Sequence, residues 1–241
     1  MNYDQLTLTQ ATADLRAGKI TSSALTTEAL ARANANADLN AFITLDEAGA
    51  LEAAAAFDAR SDSSKPLGGV PIAIKDNIEV AGLPCSAGTS ALKDYIPKAD
   101  APVVAKLRAA GAVIIGKTSM HELAFGISGY NTAFKTGTEF GVRNAYDRAR
   151  IAGGSSSGMG AAIGARIVAG GLGTDTGGSV RVPAALNGCA SLRPTVGRYP
   201  QAGIARSRIP ETPRARWPRR WPTSRCSTAS SPVETRLRRP I

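Results

Sequence analysis

The sequence has one histidine in 241 residues, His121, and three widely spaced cysteines, Cys85, Cys189 and Cys226. An odd, scattered cysteine set offers neither a disulfide framework nor a CxxC metal site. One imidazole leaves histidine-ligated metal chemistry short of material, and HExxH is absent because position 125 is phenylalanine. No apolar run approaches the ~18 to 20 residues of a spanning helix, and MNYDQLTLTQ lacks the basic-then-apolar layout of a signal peptide. The expectation is a soluble, cytoplasmic chain without a membrane partner. Acidic residues are also scarce, 19 against 29 Lys and Arg, for a net charge of +10. That deficit is local. Residues 206–241 hold ten Arg, no Lys, and only Glu211 and Glu234 as acids, with six of the 14 Pro, both Trp and none of the 25 Gly. The preceding 205 residues carry 19 basic and 17 acidic side chains. Two compositions therefore meet near Ala205.

Three segments follow. Residues 1–60 read as helical: TLTQATADLRAG closes on Gly18, Thr21 or Ser22 can cap SALTTEALARANAN, and EAGALEAAAAFDAR follows. Residues 61–205 read as an α/β core. GGVPIAIKD is a short apolar run bounded by Gly and Pro, which suits a buried strand ending at Lys75. A helix over 101–110, a strand over 112–115, and helices over 158–168 and 180–186 complete the alternation. Residues 206–241 have nine apolar residues in 36 and cannot build a core, so disorder is expected there.

Gly111 to Thr118 satisfies the formal phosphate-loop pattern GxxxxGK followed by Thr. A phosphate loop needs bare, flexible amides, whereas AVII is strand-like and apolar, so a buried strand is the better account. His121, among apolar neighbours in SMHELAFG, reads as structural. The informative stretch is 153–185, with two serine sites inside glycines, at Ser155 and Ser179. Glycine beside serine lets a carbonyl approach main-chain N–H groups. Asp175-Thr176-Gly177-Gly178-Ser179 leads into a helix, whose positive end favours developing negative charge. Serine needs a base, and with histidine nearly absent the candidate is a lysine whose burial at a strand end favours the uncharged amine. Lys75 and Lys117 both have that placement, and composition and spacing leave the choice open.

Residues 153–184, with GGVPIAIKDNIEVAGLPCSAGT, GAVIIGKTSMHELAFG and LRPTVGRYPQAGI, closely resemble the amidase signature family of serine hydrolases. The resemblance runs from about Leu6 to Ile204, and MHELAFGIS and RPTVGRY are most similar to its indoleacetamide and mandelamide hydrolase branch. It implies an α/β/α fold with a mixed central sheet, incomplete here at the C-terminus. It also implies a Ser-cisSer-Lys triad, with Lys75 as base, Ser155 behind a cis peptide bond as proton relay, and Ser179 as nucleophile. The backbone N–H groups of Thr176, Gly177, Gly178 and Ser179 would hold the oxyanion, with Ser156, Asp175 and Arg181 in support. The implied reaction is hydrolysis of a small-molecule amide, of aryl-acetamide type, through an acyl-enzyme, with no metal or other cofactor. A homodimer is one assembly open to such a chain, and the sequence does not choose the oligomeric state. Two departures from the family pattern are Asn144-Ala145, where Asn-Pro is usual, and Ser157, where Gly is common.

After AGIA the resemblance stops, although family members are longer. A shifted reading frame is one expectation. With suitable codons for Glu211 to Pro218, the frame starting on the third base gives Asp-Thr-Pro-Gly-Pro-Met-Ala, which resembles what the family carries there. A chain so ended would retain the triad but lack sheet strands and acyl pocket, giving poor folding or weak activity. Two other readings stand beside amide hydrolysis: the amidase subunit of a tRNA-dependent amidotransferase, needing partner subunits, and a basic-tail nucleic-acid binder. The tail lacks an ordered motif for base readout, which argues against nucleic acid.

Overall fold

The computed structural model describes residues 3, 6–60, 62, 64–134, 141–205 and 226–232. Their helices are α1 (Leu8–Arg16), α2 (Ser22–Ala35), α3 (Glu47–Arg60), α4 (Pro102–Ala109), α5 (Ser157–Gly164) and α6 (Arg181–Leu186). Their strands are β1 (Phe42–Leu45), β2 (Pro71–Lys75), β3 (Val113–Thr118), β4 (Gly171–Thr174), β5 (Cys189–Leu192) and β6 (Cys226–Pro232). They form one mixed sheet in the order β1-β3-β2-β4-β6-β5. The central β3-β2-β4 unit is parallel, and β1, β6 and β5 add antiparallel pairings. No described helix is long and apolar enough to cross a membrane.

Local chemistry explains several helix ends. Thr7 caps α1 by accepting the Gln10 N–H, and Gly18 takes the left-handed conformation that follows it (φ 65°). Of the two candidate caps for α2, Thr21 serves, accepting from Ala24 N at 3.1 Å. Ser22 lies inside the helix and donates to the Gly69 carbonyl, 2.7 Å. Pro102 opens α4.

The structure differs from the sequence expectation at the shortest elements. Strand β1 interrupts the segment read as all-helical, and four residues of FITL between alanine-rich helices carry too little pattern to announce a strand. Helix α5 stops at Gly164 rather than running to 168, and Arg166 turns left-handed (φ 60°). β4 and β5, GLGT and CASL, are built of small residues without alternation. In the segment expected to be disordered, β6 forms a seven-residue strand between β4 and β5. Its sequence CSTASSP is uncharged, unlike the arginine-rich chain on either side. The remainder of the tail, 206–225 and 233–241, lies outside the described residues.

The central strands β2 and β3 are buried on both faces. Ile72, Ile74 and Ile114 join a cluster with Val70, Val104 and Leu172, while Ala73, Val113 and Ile115 join Met159 and Ile163 of α5 on the other side. Double-sided burial is why VPIAI, just before Lys75, reads as an unbroken apolar run. Between β2 and β3 the register slips. Ile72 pairs with Ile114 but Ala73 pairs with Gly116, so Ile115 is an extra residue. From there Ile74 faces Lys117 and Lys75 faces Thr118. Gly116 meets the incoming β1 strand, where a Cβ would collide with the Thr44 carbonyl oxygen.

Candidate active site

The bulge separates the two candidate lysines. Without it, Lys117 would stand opposite Lys75 on one face; with it, Lys117 shares the face of Ile74 and Lys75 the α5 face. Both are fully buried. Lys117 Nζ donates to Asp76 Oδ1 (3.3 Å), Asp76 O (3.3 Å) and the Pro84 carbonyl (2.9 Å). The Asp76 carboxylate, itself buried, further accepts from Ser86 N and Oγ and from Gly88 N. Lys117 thus ends in an ion pair that holds the 84–88 loop on the sheet. As the sequence pattern implied, Gly111–Thr118 contains a buried strand and no phosphate loop.

Lys75 projects from the carboxyl end of β2 to the start of α5. Its Nζ is 2.8 Å from Ser155 Oγ and 2.8 Å from Thr174 Oγ1, and all three residues are buried. Asn77 Nδ2 also reaches Thr174 Oγ1, at 3.3 Å. Thr174 ends β4, the parallel neighbour of β2, so the cluster sits where two parallel strands end, a common position for sites in such sheets. Sequence reasoning did not single out Thr174 or Asn77. Both lie in motifs already quoted, but only strand pairing brings them together.

The Gly154–Ser155 peptide bond is cis. The Ser155 carbonyl accepts the His121 N–H at 3.0 Å. Ser156 ties the serine sites together: its N–H donates to the Ser179 carbonyl (2.9 Å) and its hydroxyl to the Thr174 carbonyl (3.2 Å). The half-buried Ser179 hydroxyl has no hydrogen bond among the described residues. Serine hydroxyl contacts of this kind often tighten only with substrate. The Ser157 hydroxyl is buried with no partner among the described residues. Burial pushes the His121 imidazole below its usual range, against the opposing pull of the Glu122 carboxylate. At Asn144-Ala145 the alanine N–H donates to Asn187 Oδ1 (2.9 Å), a bond proline could not make.

Asp175 organises the turn that carries Ser179. Its buried carboxylate accepts from Gly178 N (2.8 Å), Val180 N (3.2 Å) and Arg181 N (3.3 Å), and from Arg181 Nε (3.0 Å) and Nη2 (3.1 Å). Burial alone would raise this carboxyl; the Arg181 guanidinium and the three amides outweigh it and hold it below the usual carboxylate range. One expectation changes here. The Gly178 N–H, expected at the oxyanion, is engaged by Asp175, because the carboxylate closes the turn from beneath. Thr176 and Gly177 are exposed, and the Thr176, Gly177 and Ser179 N–H groups have no partner among the described residues. Arg193, which sequence reasoning passed over, also reaches this turn, with Nε 3.4 Å from Asp175 Oδ1.

Residues 24–214 match the family model described as Amidase. The chain is 54% identical over 203 residues to mandelamide hydrolase of Pseudomonas putida, covering 83% of this chain and 40% of that protein. It is 47% identical over 206 residues to a glutamyl-tRNA(Gln) amidotransferase subunit of Lacticaseibacillus paracasei, covering 85% and 42%. Among solved structures, the native peptide amidase of Stenotrophomonas maltophilia superposes with a TM-score of 0.77 at 37% identity, over 84% of this chain and 43% of that one. The chain spans about two fifths of the length of the curated relatives it matches. On the family match, the fold and these likenesses together, the chain belongs to the amidase family.

Proposed function

We propose that this chain carries an amide-hydrolysing site of Ser-cisSer-Lys type, with Ser179 as nucleophile, Ser155 as proton relay and Lys75 as base. The observation that carries the reading is the Lys75 Nζ to Ser155 Oγ contact of 2.8 Å between fully buried groups. Burial favours the uncharged amine, which can accept a proton. Thr174 Oγ1 accepts one amine hydrogen, leaving the nitrogen lone pair to face Ser155. Ser155 then passes its proton to Lys75 while taking the Ser179 proton, and Ser179 Oγ bonds to the amide carbonyl carbon. Negative charge develops on the carbonyl oxygen, where the N–H groups of Thr176, Gly177 and Ser179 receive it. Collapse breaks the C–N bond, the proton returns through Ser155 to the departing ammonia, and water cleaves the acyl-serine by the same route. No step draws on a metal or another cofactor.

The likeness to mandelamide hydrolase supports a primary aryl-acetamide as substrate. Incubating the purified chain with mandelamide should release ammonia, and Ser179→Ala should abolish release; release unchanged by Ser179→Ala would sink the reading. The 47% identity to an amidotransferase subunit supports a second reading, in which glutamine is the amide and partner subunits are required. Glutaminase activity that appears only when such subunits are added would favour it.

A further inference from the structure

The carbonyl side of the nucleophile turn is held by a guanidinium. Arg193 follows the end of β5, and its Nη2 donates to the Thr176 carbonyl at 3.1 Å while its Nε faces Asp175 Oδ1 at 3.4 Å. Its side chain is 22% exposed, against 50% for Arg181, which takes the bidentate position on the same carboxylate. Asp175 therefore already has a close cation, and the distinctive bond of Arg193 is the one to the Thr176 carbonyl.

In a trans peptide, the carbonyl oxygen and the N–H of the next residue point to opposite sides. A hydrogen bond on the Thr176 carbonyl therefore sets the direction of the Gly177 N–H. Little else does. Gly177 has no Cβ, none of the described residues lies within 4 Å of where one would stand, and both residues of this peptide are exposed. The next amide along, Gly178 N–H, is held by Asp175, so the turn is clamped on both sides of the Gly177 N–H. An oxyanion donor helps only if its direction is set before the charge forms.

We propose that Arg193 is a positioning residue for the oxyanion site, holding the Thr176 carbonyl so that the Gly177 N–H stays aimed at the substrate oxygen. This rests on the reading of Ser179 as nucleophile. The test labels the full chain with an alkyl fluorophosphonate: Ser179 Oγ bonds to phosphorus as its proton passes through Ser155 to Lys75, the P–F bond breaks and fluoride leaves, and the phosphoryl oxygen takes the place of the oxyanion. Intact mass against time, at a series of probe concentrations, separates the maximal rate from the half-saturating concentration. Because the donor is misdirected rather than deleted, Arg193→Met should lower the maximal rate about tenfold and leave the half-saturating concentration within about twofold. Arg193→Gln, which keeps an N–H donor without charge, should stay within about threefold of the parent. An unchanged maximal rate in Arg193→Met, or equal losses in both variants, would overturn the proposal. If Arg193→Met does not fold by circular dichroism, Arg193→Gln decides, and a tenfold loss there overturns it. A parent chain not labelled at Ser179, with Ser179→Ala as the blank, overturns the nucleophile reading and this proposal with it. A labelled parent with insensitive variants overturns this proposal alone.

Discussion

A lysine works as a base only without its proton, and a buried position beside two hydroxyls suits the neutral amine. Lys75→Met should lower ammonia release at least about a thousandfold, and Lys75→Arg should not restore it, because a guanidinium stays protonated; either variant retaining parental kcat would contradict the role. Asp175 yields a pH prediction. Its carboxyl is held below the usual range in the folded chain, so its contribution to stability is present above the unfolded value near pH ~4 and is lost as pH falls through the native value. Urea unfolding between pH 7 and 3 should show that loss, and Asp175→Asn should cost about 2 kcal/mol at pH 7 and flatten the acid limb. Ser157 offers the opposite sign. Its buried hydroxyl has no partner among the described residues, so Ser157→Ala should stabilise by about 1 kcal/mol in the same assay.

At the scale of elements, the register of β2 against β3 decides which lysine enters the site. Lys117 and Asp76 form a fully buried pair, and breaking such a pair leaves an uncompensated charge. Lys117→Met should therefore cost about 3 to 5 kcal/mol in denaturant unfolding. A loss below about 1 kcal/mol would mean the pair is not the clamp described for the 84–88 loop. The residues of this contrast were legible early, since two strand-like runs each ended in lysine. Their separation was not, because it depends on one extra residue in a ladder between segments some forty positions apart. The short strands escaped for a related reason. β1, β4 and β5 each have four residues, and neighbours across the sheet, rather than their own periodicity, make them strands.

At the scale of the whole molecule, β6 joins β5 to the rest of the sheet, since β5 pairs only with β6 among the described strands. A chain ending at residue 205 should melt about 5 °C lower or more than the 241-residue chain, and an equal melting temperature would show that β6 adds nothing. Eight of the ten net positive charges belong to residues 206–241, while the residues gathered around the site come from the nearly balanced part. The sequence alone determined the α/β class, the family resemblance, the serine-glycine sites and the short set of lysines able to serve them. Those features are local: glycine beside serine, an apolar run ending in lysine, a cap before a helix. Tertiary structure decided that Lys75 rather than Lys117 meets Ser155, that Asp175 takes the Gly178 amide, and that Arg193 holds the Thr176 carbonyl. Each of these depends on register or on a returning strand, and hydrogen bonds between distant segments exist only once the sheet has set their distance.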